Sequence, residues 1–245
     1  MGMHMLPSVE PAYGLASAVL TPPMHFGLRW TIEGAHLIPV RGPVILASNH
    51  VSYLDPLVLA YVAQTRGRKV RFLAKAELFQ HKVLGPLLRQ WRQIPVQRAS
   101  VDAAASLAAA EDALAQGECV VIFPEGTISL DLDPMPGKSG AARLAAATGV
   151  KITPVGLWGA QRILFKGRKP VWRAGVAESV VVGAPIRVHA DEDVGSATTR
   201  MMEEIASAVA RARAIYPQHP APDDDGWWTR TPASAFRHVG AGSGT

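Results

Sequence analysis

At 245 residues the chain is long enough for one large domain with a full hydrophobic core. Its 48% hydrophobic and 18% charged residues describe a globular protein, and its single cysteine, Cys119, excludes an intrachain disulfide framework. The formal charge of +5 suits an anionic partner (a phospholipid headgroup, a phosphate ester, coenzyme A or nucleic acid) or serves only as a solubilising surface. Metal-ligand spacings such as H-E-x-x-H or paired C-x-x-C are absent, so no metal is expected.

Residues 1–35 carry Tyr13, Leu15, Val19, Leu20, Met24, Phe26, Leu28 and Trp30, divided by Pro22-Pro23 into two short apolar segments. Each is too short to span a bilayer, and together they read as an amphipathic helical pair that lies in the headgroup interface or caps the core. No Lys or Arg precedes Arg29, so the n-region of a signal peptide is missing and a cytoplasmic protein is expected.

From residue 40 strands and helices alternate. Pro43 to Ser48 is an apolar run of buried-strand length, Pro56 to Thr65 a helix, and Val70 to Ala74 a second strand. Leu78 to Trp91 reads as a helix interrupted at Gly85-Pro86, and Ile94 to Val96 as a short strand. Ser100 caps an alanine-rich helix that runs to Gln116, with Gly117 past its end. Val120 to Phe123 is a strand, Gly140 to Ala147 a helix stopped by Gly149, and Ile152 to Leu157 a strand. Val180 to Val182 makes one more strand, and Ser196 to Ala214 a long helix with Met201, Ile205 and Val209 on one face. The expectation is an α/β domain over 36–216 with a largely parallel or mixed central sheet flanked by helices. Residues 217–245 read as a polar, partly disordered tail with an anchor at Trp227-Trp228.

The chemistry concentrates at Asn49-His50-Val51-Ser52-Tyr53-Leu54-Asp55-Pro56. Residues five apart on a continuous helix point about 140° away from each other, so His50 and Asp55 could not meet on one. Asp is a favoured N-cap and Pro a favoured first helical residue, which starts the helix at 56. Residues 50 to 55 are then free to turn the carboxylate onto the imidazole. A His held by a carboxylate takes a proton from a hydroxyl, while a departing thiol of pKa about 8.5 needs little help. The chain has no G-x-S-x-G nucleophile motif. Cys119 sits within a strand and reads as core, and Lys138 as a loop lysine before a helix, within reach of a substrate phosphate.

Asn49-His50 with Asp55, followed by Phe123-Pro124-Glu125-Gly126-Thr127, resembles the glycerophospholipid acyltransferase family, and more narrowly its 1-acylglycerol-3-phosphate acyltransferase branch. The similarity runs from about residue 40 to about 185. It implies an acyltransferase with His50 as general base and Asp55 orienting it. It further implies that Glu125, Gly126 and Thr127, with Asn49 and Ser52, hold the acceptor. Ile94-Pro95-Val96-Gln97-Arg98 resembles a second block whose Arg binds the acceptor phosphate, with Lys75 as a further contact; Trp91-Arg92-Gln93 stands where the family usually has a Gly. Ile152 to Gly156 resembles a fourth, pocket-shaping block. The partners implied are acyl-CoA or acyl carrier protein as cosubstrate, a lysophospholipid acceptor such as lysophosphatidic acid, and the phospholipid surface on the cytoplasmic face of the membrane. No bound cofactor is implied. Basic residues not interleaved with aromatics, and no recognition motif, argue against nucleic acid.

Overall fold

The computed structural model describes residues 21–96, 102–222 and 224–229. Helix α1 covers the described residues 21–27. In chain order there follow β1 (Leu28–Glu33), β2 (Val44–Ser48), α2 (Asp55–Gln64), β3 (Val70–Lys75), α3 (Leu84–Gln90) and β4 (Ile94–Val96). Then come α4 (Asp102–Ala115), β5 (Cys119–Ile122), α5 (Gly140–Thr148), β6 (Ile152–Trp158), β7 (Val176–Val182) and α6 (Val194–Ala214). The strands form one sheet in the order β1-β7-β6-β2-β5-β3-β4. Every neighbouring pair is parallel except β6 and β7, which run antiparallel. The expected α/β core with a mixed sheet is therefore what the chain adopts.

Strands buried on both faces read as unbroken apolar runs, and β2, β5 and β6 are buried along their whole length. One face packs under α4, α5 and α6, with Ile45, Val120, Ile122 and Ile152 against Leu144, Met201, Ile205 and Val209. The other lies under α2, with Leu46, Val121, Leu157 and Val180 against Val58, Leu59 and Val62. α1 is tied to α2 by Thr21 Oγ1 donating to Gln64 Oε1 at 2.9 Å, and Trp30 of β1 stacks on Tyr61 of α2 at 4.1 Å. Among the described residues no helix is long and apolar enough to cross a membrane.

Two expectations are corrected. Residues 28–33, read as part of the helical N-terminal segment, form edge strand β1 in parallel register with β7 from Leu28↔Val176 to Glu33↔Val181. Leu28, Trp30 and Ile32 alternate with Arg29, Thr31 and Glu33, a period of two that suits a strand packed on one face. The last strand also begins at Val176 rather than Val180, because Glu178 interrupts its apolar run in sequence but not in space. Residues 1–20, Ser100 and residues 230–245 lie outside the described residues.

The Trp91-Arg92-Gln93 turn closes without glycine. Arg92 takes φ 52°, in the left-handed region, while its guanidinium pairs with Glu118 at 3.0 Å. Buried Arg71 donates to the same carboxylate at 2.8 Å and to Trp91 O at 2.7 Å, fixing the turn from below.

Gly156 sets the approach of α6 to the sheet. A Cβ there would lie 2.2 Å from the Ala208 carbonyl carbon and 2.4 Å from Val209 N, backbone that cannot step aside alone. Gly156→Ala is expected to destabilise the fold by about 3 kcal/mol or more, read as a lower urea midpoint at unchanged slope. An unchanged midpoint would contradict this packing.

Candidate active site

β2 and β5 are parallel neighbours, so their C-terminal ends open at the same edge of the sheet, where α/β proteins place their sites. β2 leads into Asn49-His50, and β5 into Phe123-Pro124-Glu125. The turn after β2 closes on the Asp55 carboxylate, whose Oδ2 accepts from His50 Nδ1 at 2.8 Å and from the amides of Val51 and Ser52 at 2.7 Å each. α2 begins at Asp55 itself and no side chain caps it, so the expected capping role is corrected. The carboxylate serves the preceding turn and the imidazole instead. It is fully buried, whereas His50 is 17% exposed. A carboxylate only accepts, so Nδ1 carries the proton and Nε2 offers its lone pair. Phe123 stacks on the ring at 4.2 Å and 20°, fixing its plane.

Asn49 and Ser52 hold this loop to the neighbouring backbone. Asn49 Nδ2 donates to Leu157 O at 3.1 Å and its Oδ1 accepts from Leu157 N at 2.8 Å. Ser52 Oγ donates toward Leu164 O at 2.8 Å and Ala160 O at 3.1 Å, and accepts from Leu54 N at 3.1 Å. Glu125 is also buried: Oε1 accepts from His50 N at 2.9 Å and Oε2 from Met135 N at 3.2 Å. Burial pushes its carboxyl up to about 7, against these two amides, which favour the charge. Asn49, Ser52 and Glu125 are thus all occupied with backbone groups.

His50 faces a cavity of about 740 Å³. Its walls are apolar, with Leu57, Phe72, Leu84, Leu88, Trp91 and Ile128 among the lining, and it reaches Thr21 and Gln64 between α1 and α2. Gly126, Thr127 and Lys75 also line it, as expected from sequence. Gly126 has φ 69°, and the Lys138 ammonium lies 3.3 Å from where a Cβ there would stand. Lys138 and Lys166 line it as well. Lys166 opens the basic run Lys166-Gly167-Arg168-Lys169, a pattern that in sequence suits either an anionic headgroup or coenzyme A phosphate, or a solvated loop. Arg98 lies outside the described residues. Cys119 is buried and its thiol is pushed up to about 12 by burial, which keeps it protonated and out of nucleophilic chemistry.

A buried carboxylate holding a partly exposed histidine on the wall of an apolar cavity defines an α/β protein suited to proton abstraction. A family model described as Acyltransferase matches residues 29–158, more than half of the sequence. The chain belongs to the acyltransferase family. A chloroplastic 1-acyl-sn-glycerol-3-phosphate acyltransferase of Brassica napus is 31% identical over 160 residues, 63% of this chain and 44% of the relative. A lyso-ornithine lipid O-acyltransferase of Rhizobium meliloti is 34% identical over 132 residues, 54% of this chain and 42% of the relative. The crystal structure of the 1-acyl-sn-glycerophosphate (LPA) acyltransferase of Thermotoga maritima superposes with a TM-score of 0.65 at 25% identity, covering 84% of each chain. The matches span about half the length of the first curated relatives.

The Glu125 shift has a definite sign in stability. Between the ordinary 4.5 and about 7 the folded protein keeps a proton that the unfolded chain has released. The stabilisation is complete below the lower value and is lost as pH rises to the upper, by about 1.4 kcal/mol per pH unit at most. Glu125→Gln removes this slope, so the stability difference between wild type and variant in urea titrations is expected to change steadily from about pH 5 to about pH 7. A difference that stays flat over that range would show that Glu125 does not titrate there.

Proposed function

We propose that this protein transfers a fatty acyl group from acyl-CoA or acyl carrier protein to the sn-2 hydroxyl of lysophosphatidic acid, forming phosphatidic acid. The observation that carries the reading is the 2.8 Å contact between His50 Nδ1 and Asp55, with His50 on the wall of an apolar cavity that Lys75, Lys138 and Lys166 also line. His50 Nε2 takes the proton of the acceptor hydroxyl, and the oxygen attacks the thioester carbonyl. The tetrahedral intermediate collapses by breaking the C–S bond, and the thiolate recovers the proton from the imidazolium stabilised by Asp55. The lysines meet the acceptor phosphate, with Arg98 as a further contact, and the apolar walls take the acyl chain. Glu125 acts on the acceptor indirectly, by fixing the backbone at His50 and Met135, while Asn49 and Ser52 fix the loop. The names of the 1-acyl-sn-glycerol-3-phosphate acyltransferase relatives support a lysophosphatidic acid acceptor. The lyso-ornithine lipid relative favours a second reading, an aminolipid acceptor without phosphate.

Thiol release from acyl-CoA in the presence of each acceptor decides between them. His50→Ala is expected to lower kcat by a factor of about 10³ or more, and Asp55→Asn by a similar order, both with intact folding. Lys138→Ala is expected to raise KM for lysophosphatidic acid and not for a phosphate-free acceptor. Wild-type turnover in His50→Ala would sink the mechanism.

The same reading places the enzyme on the cytoplasmic face of the membrane as a peripheral protein. Phe26 is 81% exposed and Trp172 75%, and the Gly175 amide bonded to Gly27 O at 2.8 Å brings their segments together at the β1 edge, the Trp172 segment also carrying Lys169 and Arg173. Exposed aromatics within a basic patch suit an anionic bilayer. Trp172→Ala together with Phe26→Ala is expected to reduce pelleting with phosphatidylglycerol vesicles severalfold, and salt to reduce it further. Pelleting unchanged by both would remove this edge from the contact.

A further inference from the structure

The segment after α6 folds back onto the loop that follows β6. Trp228 anchors it. The ring is buried, its Nε1 donates to Asp224 Oδ2 at 3.0 Å, and the Arg162 guanidinium lies over its face at 4.1 Å. Tyr216 meets the same ring at 5.6 Å and 67°. Upstream, Gln218 Oε1 accepts from Arg162 at 2.6 Å and from the Ala177 amide at 2.9 Å, while its Nε2 donates to Gly175 O at 2.8 Å. None of these contacts involves the side chain of Trp227.

Trp227 instead meets one tight turn at both of its ends. The turn runs from Phe165 to Arg168, closed by Arg168 N donating to Phe165 O at 3.3 Å. Gly167 stands in its third position at φ 87°, a conformation that favours glycine. Phe165, the first residue, lies with its ring centroid 4.8 Å from that of Trp227. Arg168, the fourth, holds its guanidinium 4.2 Å from the centre of the same ring and pairs with Asp225 at 3.1 Å. That ion pair is solvent-exposed on both sides and alone orders little, so the shared aromatic face is the main constraint. Lys166 stands between the two held residues, and it lines the cavity that His50 faces.

The start of the same loop is tied to the catalytic turn. Leu164 O accepts from Ser52 Oγ at 2.8 Å and from Tyr53 N at 3.3 Å. Lys166 is thus connected to the base by a short run of contacts, with Ser52 and Leu164 on one side and Trp227 on the other. In lysophosphatidic acid the phosphate and the free hydroxyl share one glycerol unit. A lysine that meets the phosphate therefore needs a defined place relative to the base that meets the hydroxyl. A turn left loose would have to be ordered at each binding event, which weakens binding.

We infer that Trp227 is a positioning residue for Lys166: its ring holds both ends of the Phe165–Arg168 turn and so keeps the lysine on the cavity wall for the acceptor phosphate. The inference rests on the acyl-transfer reading for the identity of that phosphate. It extends the site to the segment after α6, in which Trp228 supplies the anchor and Trp227 the platform.

The test separates KM from kcat and adds a measurement that needs no turnover. Trp227→Ala is expected to raise KM for lysophosphatidic acid severalfold, with kcat and KM for acyl-CoA little changed. Lys166→Ala is expected to do the same, and the double variant to be no worse than Lys166→Ala alone, because Trp227 acts through the lysine. Trp227→Phe keeps an aromatic face for Phe165 and Arg168 and is expected to recover most of the wild-type KM. Effects that add in the double variant overturn the inference. So does a KM rise confined to acyl-CoA, or a loss of kcat at unchanged KM. Amide hydrogen exchange across residues 166–168 is expected to accelerate in Trp227→Ala and to return toward wild type in Trp227→Phe. Exchange that stays at the wild-type rate in Trp227→Ala also overturns it. If Trp227→Ala does not fold, Arg168→Ala releases one end of the turn from an exposed position and carries the same expectations for KM. If wild type turns over no acceptor at all, the acyl-transfer reading fails, while the exchange rates still decide whether Trp227 holds the turn.

Discussion

Asp55 Oδ2 gathers three N–H donors from the residues just before it, His50 Nδ1 and the amides of Val51 and Ser52, at 2.7–2.8 Å. Two of these are backbone groups, so the carboxylate shapes the turn and orients the imidazole by the same contact. The turn has no regular ladder of its own, and without Oδ2 the buried amides of Val51 and Ser52 would lose this acceptor. Loss of the carboxylate therefore damages the loop as well as the base, and Asp55→Asn is the gentler substitution because one oxygen remains to accept.

The sheet decides what this turn faces. β2 and β5 are parallel neighbours, so the His50 loop and the Phe123–Gly126 segment emerge together, with Phe123 against the imidazole and Glu125 under its amide. β3, on the other side of β5, brings Lys75 to the same edge. β6 is the other neighbour of β2, and Asn49 binds both backbone groups of Leu157 at its end. The His50 loop is thus clamped between two strands while its ring points to the cavity. Apolar walls with a few lysines follow from this position, since α1, α2 and α3 line the cavity while the end of β3 and two loops supply Lys75, Lys138 and Lys166.

Much of this was legible in the sequence because its causes are local. Pro43 to Ser48 and Val120 to Phe123 are apolar runs that only a doubly covered strand explains, and His50 and Asp55 are near enough for a single turn to join them. β1 was hidden because a one-sided edge strand alternates apolar with polar residues, and the first half of β7 because Glu178 reads as surface. The partners of Asn49 and Glu125 were out of reach for a different reason. Leu157 lies 108 positions from Asn49 and Glu125 75 from His50, so both contacts exist only after the strands have been ordered. Arg92 at φ 52° shows the opposite case, a glycine-like position filled by a side chain whose ion pair with Glu118 holds it.

Three carboxyls lie buried close to the base, and their surroundings sort them. Asp55 Oδ2 has three N–H donors, Glu125 has two across its oxygens, and Glu178 has none in hydrogen-bonding geometry among the described residues. Glu125 is pushed up to about 7 and Glu178 well above its ordinary range, each chiefly by burial and further by the Asp55 charge. Like charges in a poorly polarisable interior repel, so ionising all three together is disfavoured. Donors are most concentrated on the one carboxyl that touches the imidazole. Asp55 is therefore the carboxyl placed to face the imidazolium formed during proton transfer, while burial favours the neutral form of the other two.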